Sequence, residues 1–262
     1  MLTDKIHRLL SRPSKFLDLV GQKALRFYLY RENAYFNPDL NGEHFLLNQL
    51  LTRGVETKSI FDIGANEGRW SARVRTIWAC SDIHLFEPIP SIVERLEQRF
   101  AADDHIHVHP YAIGGQDGEV SIHENNETTS HSFVTLDLQG GNGIAMRSGE
   151  NAFKIAGIDR LNLCKIDAEG YDLLILASME SLLEKQKIDI IQFEHYALTF
   201  VYGRSFSSIS AMFQRHGYRL GKIHPRGLKE VRYGENDWSY QVGPNFCAMA
   251  PSHASIFDGI KI

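Results

Sequence analysis

From residue 43 onward, short runs of β-branched and aromatic residues alternate with stretches whose apolar positions recur at helical spacing. The pattern predicts a short helix over 43–51, with Phe45, Leu46 and Leu50 on one side. Strands are predicted over 59–63, 83–86, 105–112, 161–166, 188–193, 218–223 and 245–249. Between them fall helices over 67–78, 91–101, 171–185 and 207–216, with Ser91 as an N-cap and Gly217 as a helix-ending glycine. Such alternation calls for a parallel sheet with helices on both faces. Residues 114–151 break the rhythm. They are polar and glycine-rich, with short strands expected at 120–122 and 133–136, and read as an insertion or hairpin beside the active face.

The first 31 residues carry seven basic and two acidic groups, a net of +5, while the whole chain of 262 residues stands at -4. Leu9, Leu10, Phe16, Leu17, Val20, Leu25 and Tyr28 recur among those charges at roughly helical spacing. The predicted division is therefore a basic amphipathic helical arm over 1–40 and one large domain over 41–262. The arm's apolar stripe is expected to pack on the main domain, the alternative being peripheral contact with an anionic membrane. The acidic balance of the chain argues against a nucleic-acid partner. No run reaches the ~18 apolar residues of a membrane span. Cys80, Cys164 and Cys247 form no CxxC pair, and no signal peptide is recognisable, which together suit a reduced, cytoplasmic setting.

The most informative local motif is Ile60-Phe61-Asp62-Ile63-Gly64-Ala65-Asn66-Glu67-Gly68. An apolar strand carrying an acid turns through G-x-x-x-G into a helix. Asn66 stands where the second glycine of a dinucleotide fingerprint would let backbone reach a pyrophosphate. An acid beside the turn disfavours phosphate and suits a ligand with a cationic amino-acid end. Leu85-Phe86-Glu87-Pro88 then places a carboxylate at the end of the next strand, where it can accept both ribose hydroxyls. Either motif alone describes a tight turn or a solvated strand end. Together they describe a nucleoside site without phosphates, which S-adenosylmethionine (SAM) fits.

With these residues in order, the chain resembles the FkbM-type SAM-dependent methyltransferases. The resemblance runs through Asn41-Gly42-Glu43, the glycine turn, Phe86-Glu87-Pro88, Ala112-Ile113-Gly114 with Asp117-Gly118, Lys165-Ile166-Asp167-Ala168-Glu169-Gly170, Gln192-Phe193-Glu194 and Asn245-Phe246. It implies an α/β fold of the class I methyltransferase (Rossmann-like) kind: a mostly parallel seven-stranded sheet with helices on both faces, here preceded by the helical arm. It also implies O-methylation of a hydroxyl on a sugar, glycan or other small molecule. Carried over, Gly64, Ala65, Asn66 and Gly68 shape the turn under the methionine end, Asp62 lies near its ammonium, Glu87 with Pro88 serves the ribose, and Tyr111 and Ala112 flank adenine.

A sugar hydroxyl is a poor nucleophile at neutral pH, so a base is expected. Asp167, Glu169, Glu194 and His195 are the candidates at the fourth and fifth strand ends, with His131 reaching over from the insertion. The same carboxylates and histidine could hold a divalent metal; no metal site is assigned. The plainer readings are helix capping or pairing with Lys165 for Asp167, and favourable placement in a first helical turn for Glu169. His105, His107 and His109 share one face of a strand, with Ile106 and Val108 turned to the core. A nicotinamide-dependent oxidoreductase and a non-catalytic SAM-binding module are the competing functions. Acceptor choice is expected from the 115–151 stretch and from Tyr202, Arg204, Phe206, Trp238 and Tyr240.

Overall fold

The computed structural model describes residues 19–24, 27, 37–123, 135–137, 143–195, 205–231 and 245–262. His131, Tyr202, Arg204, Trp238, Tyr240 and most of the arm lie outside the described residues. Within the arm, residues 19–24 are helical, and Leu19, Val20 and Phe27 are exposed. Among the described residues no helix is long and apolar enough to cross a membrane.

The domain opens with helix α1 (Glu43–Thr52), whose Leu46, Leu47 and Leu50 are buried. There follow β1 (Ser59–Ile63), α2 (Arg69–Ile77), β2 (Asp82–Phe86), α3 (Pro90–Arg99) and β3 (Ile106–His109). The next stretch holds β4 (Ala112–Gly114), β5 (Gly118–His123), β6 (Thr135–Asp137), β7 (Ile144–Ser148) and α4 (Gly149–Ile155). The alternation resumes with β8 (Leu161–Ile166), α5 (Asp172–Ser178), α6 (Glu180–Glu184), β9 (Ile188–Glu194) and α7 (Phe206–Arg215). Strands β10 (Arg219–His224), β11 (Gly227–Glu230) and β12 (Asn245–Met249), then α8 (Ala254–Ile260), complete the chain.

The main sheet runs β11-β10-β12-β9-β8-β1-β2-β3. Strands β3, β2, β1, β8 and β9 are parallel, while β12 lies antiparallel between β9 and β10. Without β11 this is the seven-stranded class I methyltransferase sheet. The eighth strand, absent from the sequence reading, arises because His224–Gly227 closes a tight hairpin that folds β11 onto β10. Period-2 alternation divides the sheet residues between two cores. Ile60, Leu85, Leu163 and Ile190 pack with α1, α2, α3 and α8, whereas Phe61, Ile63, Cys164, Ile166, Ile191 and Phe193 pack on the opposite face with α4, α5, α6 and α7.

The expected strand over 105–112 is two strands. β3 ends at His109, and β4 leaves the main sheet for a four-stranded one ordered β4-β7-β5-β6. This second sheet is what the glycine-rich stretch builds. The N-cap of α3 is Ile89 rather than Ser91, because Pro90 enters at the first helical position, where its missing N–H costs nothing. The expected helix over 171–185 breaks at Met179 into α5 and α6. Gly217, at φ 78°, ends α7 in the left-handed conformation.

Candidate functional site

Two successive rows cross the α1–α2 face of the sheet. In the first, Ile60, Leu163 and Ile190 are in register and apolar. One side-chain step toward the carboxyl ends, the register aligns Asp62, Lys165 and Gln192. A further step places Glu194 opposite Asn245. The carboxyl edge of the sheet therefore ends in a buried polar band, although each strand began as an apolar run.

At the β1 end of this band the chain turns. Gly64 has φ 78°, and a Cβ there would lie 1.9 Å from the Asp167 carbonyl oxygen, so only glycine lets β1 leave the sheet beside β8. Gly68 caps α2 at φ 69°, and its bare Cα faces Leu96 of α3 and Phe100 at that helix's C-cap. The N–H groups of Gly64 and Ala65 donate to the Phe86 carbonyl, and that of Gly68 donates to Ala65. The Asn66 N–H donates to Glu87 Oε2 at 3.0 Å. The turn's amides are thus committed to protein acceptors, unlike a phosphate-binding nest. Glu87 is itself the anion at this turn. Its other oxygen accepts from the Ile89 N–H at 3.0 Å, and burial pushes its carboxyl pKa up against the pull of those two hydrogen bonds. Pro88 links it to the start of α3.

Asp62 is fully buried beneath the turn. Its Oδ2 accepts from Ser71 Oγ at 2.6 Å and, among the described residues, its Oδ1 has no hydrogen-bond partner. Burial raises its pKa, opposed by the Lys165 ammonium and the Ser71 bond. Tyr111 follows β3, with its hydroxyl buried and unpartnered and its ring 5.6 Å from those of Phe86 and His109; Ala112 is buried at the start of β4. A cationic group over Asp62, hydroxyls on Glu87 and a flat ring near Tyr111 are what these donors and acceptors can serve. Among the described residues they fit the SAM that the resemblance implies.

At the β8–β9 end, Lys165 Nζ lies 2.9 Å from Asp167 Oδ2 and over the Trp70 ring. Burial alone would depress the Lys165 pKa, but Asp167, Glu43 and Asp62 outweigh it and hold the ammonium charged. Glu43 of α1 accepts from Gln192 Nε2 at 2.6 Å. Burial, then the neighbouring Asp167 and Asp172, raise the Glu194 pKa well above an ordinary glutamate. Asp172, at the start of α5, accepts from the Gly170 and Glu194 N–H groups, and burial pushes it up to about 8. Asn66 and Glu169, both non-glycine, have left-handed φ of 46° and 48°. Such strain costs about 1–3 kcal/mol and gathers at functional loops.

Glu169 is half-buried in the turn after β8. Glu194 and His195 do not converge. They are consecutive in an extended chain, so His195 faces the other way, fully buried and stacked 4.7 Å from Phe206. Burial lowers its pKa to about 4. Sequence reasoning overlooked Asp172 and gave Lys165, Gln192, Asn245 and Glu43 no role of their own. Their signal was the polar residue interrupting an apolar strand. Asn245 is 1% exposed, and among the described residues neither of its amide atoms has a partner; Gln192 Oε1 is likewise buried and unpaired there. Each such group costs about 1–3 kcal/mol in an isolated protein.

The histidines of β3 line one face of the edge strand. His84 Nδ1 lies 2.9 Å from His109 Nε2, His107 stacks on His84, and His105 and His107 approach Asp82. Among the described residues no group of three or more His, Cys, Asp or Glu is arranged to hold a metal. A cavity of about 360 Å³ between α7 and the β10–β11 hairpin, lined by Tyr218, Arg219 and Glu230, opens at the other end of the sheet.

Residues 62–220 match the family described as the methyltransferase FkbM domain, more than half of the chain. Hexuronic acid methyltransferase AglP of Haloferax volcanii is 24% identical over 155 residues, spanning 59% of this chain and 63% of that enzyme. The chain is also similar to the N-methyltransferase NodS of Bradyrhizobium japonicum in complex with S-adenosyl-L-homocysteine, with TM-score 0.42, 11% identity, and 87% and 97% of the two chains covered. A precorrin-6y C5,15-methyltransferase of Geobacter metallireducens gives TM-score 0.42 and 10% identity over 79% of this chain and 86% of its own.

Burial lowers the pKa values of His84 and His109 to about 4. The unfolded chain takes up protons at about 6.5 and the folded one only near 4, so their contribution is complete above 6.5 and lost as pH falls toward 4. Histidine-resolved NMR titration should keep both rings neutral at pH 5.5; half-protonation near 6.5 would contradict this burial.

Proposed function

The chain belongs to the FkbM methyltransferase family, and on that premise we propose that it is a SAM-dependent O-methyltransferase acting on a sugar hydroxyl. The observation that carries this reading is the polar band at the carboxyl edge of the sheet, with a nucleoside-binding turn at one end and a carboxyl cluster at the other. When bound, SAM supplies a methyl group already activated by its sulfonium.

The chain's own residues do the rest. Glu87 keeps lone pairs free beyond those taken by Asn66 and Ile89, and accepts the ribose hydroxyls with them. Asp62 offers its unpartnered oxygen to the cationic end from beneath the turn. Glu194, whose raised pKa makes it a stronger base once ionised, takes the proton of the acceptor hydroxyl, and Lys165 orients Asp167 beside it. His195, stacked on Phe206, shapes the wall rather than the chemistry. The AglP similarity supports a sugar acceptor.

Calorimetry with SAM and with NAD tests the donor. SAM should bind and Glu87→Gln should weaken it about tenfold, the size of one charge-assisted hydrogen bond; binding of NAD alone would favour an oxidoreductase. For the chemistry, Glu194→Gln should lower turnover of a labelled methyl donor with sugar acceptors by ~10²–10⁴-fold. Because the Glu194 pKa is raised, wild-type kcat/KM should climb with pH above the usual carboxylate range. A flat profile, or a Gln variant at wild-type speed, would move the base elsewhere.

The exposure of Leu19, Val20 and Phe27 favours a further reading for the arm, whose first 31 residues carry a net +5: contact with an anionic membrane surface. Flotation with phosphatidylserine vesicles should carry the full chain and leave a chain starting at Tyr35 behind; equal flotation would end that reading.

A further inference from the structure

We propose that Gln192 and Asn245 position the methyl acceptor by hydrogen-bonding two adjacent neutral hydroxyls, so that the acceptor at this edge of the sheet is a vicinal diol. The inference rests on the methyl-transfer reading above. Its starting point is the pairing state of these two amides. Gln192 Nε2 is fixed by Glu43, which leaves Gln192 Oε1 to accept, and it is buried without a donor. Asn245 has both an idle donor and an idle acceptor, and stands in register opposite Glu194. Buried amides are normally satisfied, and three idle atoms on neighbouring strands mark a place where a partner is missing.

The chemistry of that partner follows from what the atoms need. A hydroxyl both donates and accepts, so two neighbouring hydroxyls can satisfy Gln192 Oε1, Asn245 Oδ1 and Asn245 Nδ2 together. A carboxylate or phosphate could engage only Asn245 Nδ2 and would leave both amide oxygens idle. It would also meet Glu43, Asp167, Asp172 and Glu194, offset by the Lys165 ammonium. An ammonium would satisfy the oxygens but leave the Asn245 donor unused. A neutral diol is the class that fits; one of its two hydroxyls lies beside Glu194, and for transfer that hydroxyl turns its hydrogen from its amide oxygen to the Glu194 carboxylate while its oxygen keeps the Asn245 Nδ2 donor. Any acidic group of the acceptor must lie away from this pair.

The test uses the full chain loaded with S-adenosylhomocysteine and three probes: cis-1,2-cyclohexanediol, cyclohexanol and cyclohexanecarboxylate. Saturation-transfer NMR should show binding of the diol in preference to the other two. Asn245→Leu should weaken the diol about tenfold or more, as expected for two lost hydrogen bonds. The same variant should match or exceed the wild-type Tm, because it removes an amide that has no partner in the free protein. A diol no better bound than cyclohexanol, or equal binding to Asn245→Leu, overturns the proposal. A lowered Tm with diol binding intact makes Asn245 a packing residue and overturns it too. Should the leucine variant fail to fold, Asn245→Asp takes its place; it removes the donor and adds a charge, and diol binding retained there is equally fatal. Calorimetry of S-adenosylhomocysteine on the same samples separates the two levels: cofactor binding without diol preference defeats this inference alone, whereas no cofactor binding defeats the transfer reading.

Discussion

A buried ammonium organises the carboxyl edge of this sheet. Lys165 sits in β8, between β1 and β9, with Asp62 in register on one side and Gln192 on the other, and Asp167 2.9 Å away. Desolvation penalises it, yet the carboxylates of Asp167, Glu43 and Asp62 keep it charged. The dependence is mutual. Without a cation there, three buried or half-buried acids would face one another across roughly two strands, and breaking such a buried pair typically costs about 3–5 kcal/mol. A hydrophobic row at this height would make a more stable sheet, so the polar band is a stability cost retained where chemistry is expected.

That band separates two tasks. On the β1–β2 side the structure is closed by its own hydrogen bonds: Glu87 pins the glycine turn and the start of α3 at once. A carboxylate that holds the turn in place is already oriented before any ligand arrives, so little ordering entropy remains to be lost on binding. On the β9–β12 side the bonding is incomplete, with Asn245 and Gln192 carrying idle atoms. The rigid half suits an invariant cofactor, and the unsatisfied half suits a partner that supplies the missing bonds.

Much of this was legible in the sequence. Strands β1, β8 and β12 fall on the predicted residues because their clusters of apolar residues are bounded by polar or turn residues: Lys58 and Gly64, Arg160 and Asp167, Pro244 and Pro251. The glycine turn and Glu87 were legible because backbone geometry at a strand–helix junction restricts residue type strongly. Of the second sheet, the β5–β6 hairpin was legible at 120–122 and 133–136, but β4 and β7 were not, since they are short and their pairing is set by contacts 34 positions apart, such as Ala112 with Met146. The eighth strand escaped for a related reason: β11 pairs through a two-residue turn without the usual Asn-Gly signal. At the site, local sequence put Glu194 and His195 together as neighbours, whereas strand alternation parts them onto opposite faces. Adjacency along an extended chain is the weakest form of proximity a sequence can offer.

Register supplies the stronger form. Asp62, Lys165 and Gln192 lie 103 and 27 positions apart along the chain, yet parallel pairing sets them side by side on one face. Each appears in its own strand as a polar residue two positions beyond an apolar one: Ile60 before Asp62, Leu163 before Lys165, Ile190 before Gln192. A lone interruption has an ordinary explanation as the point where a strand emerges into solvent. Three at the same height in adjacent strands, all buried, do not, because emergence would expose them. The coincidence of height and burial, which appears only once the strands are aligned, turns three unremarkable residues into one site.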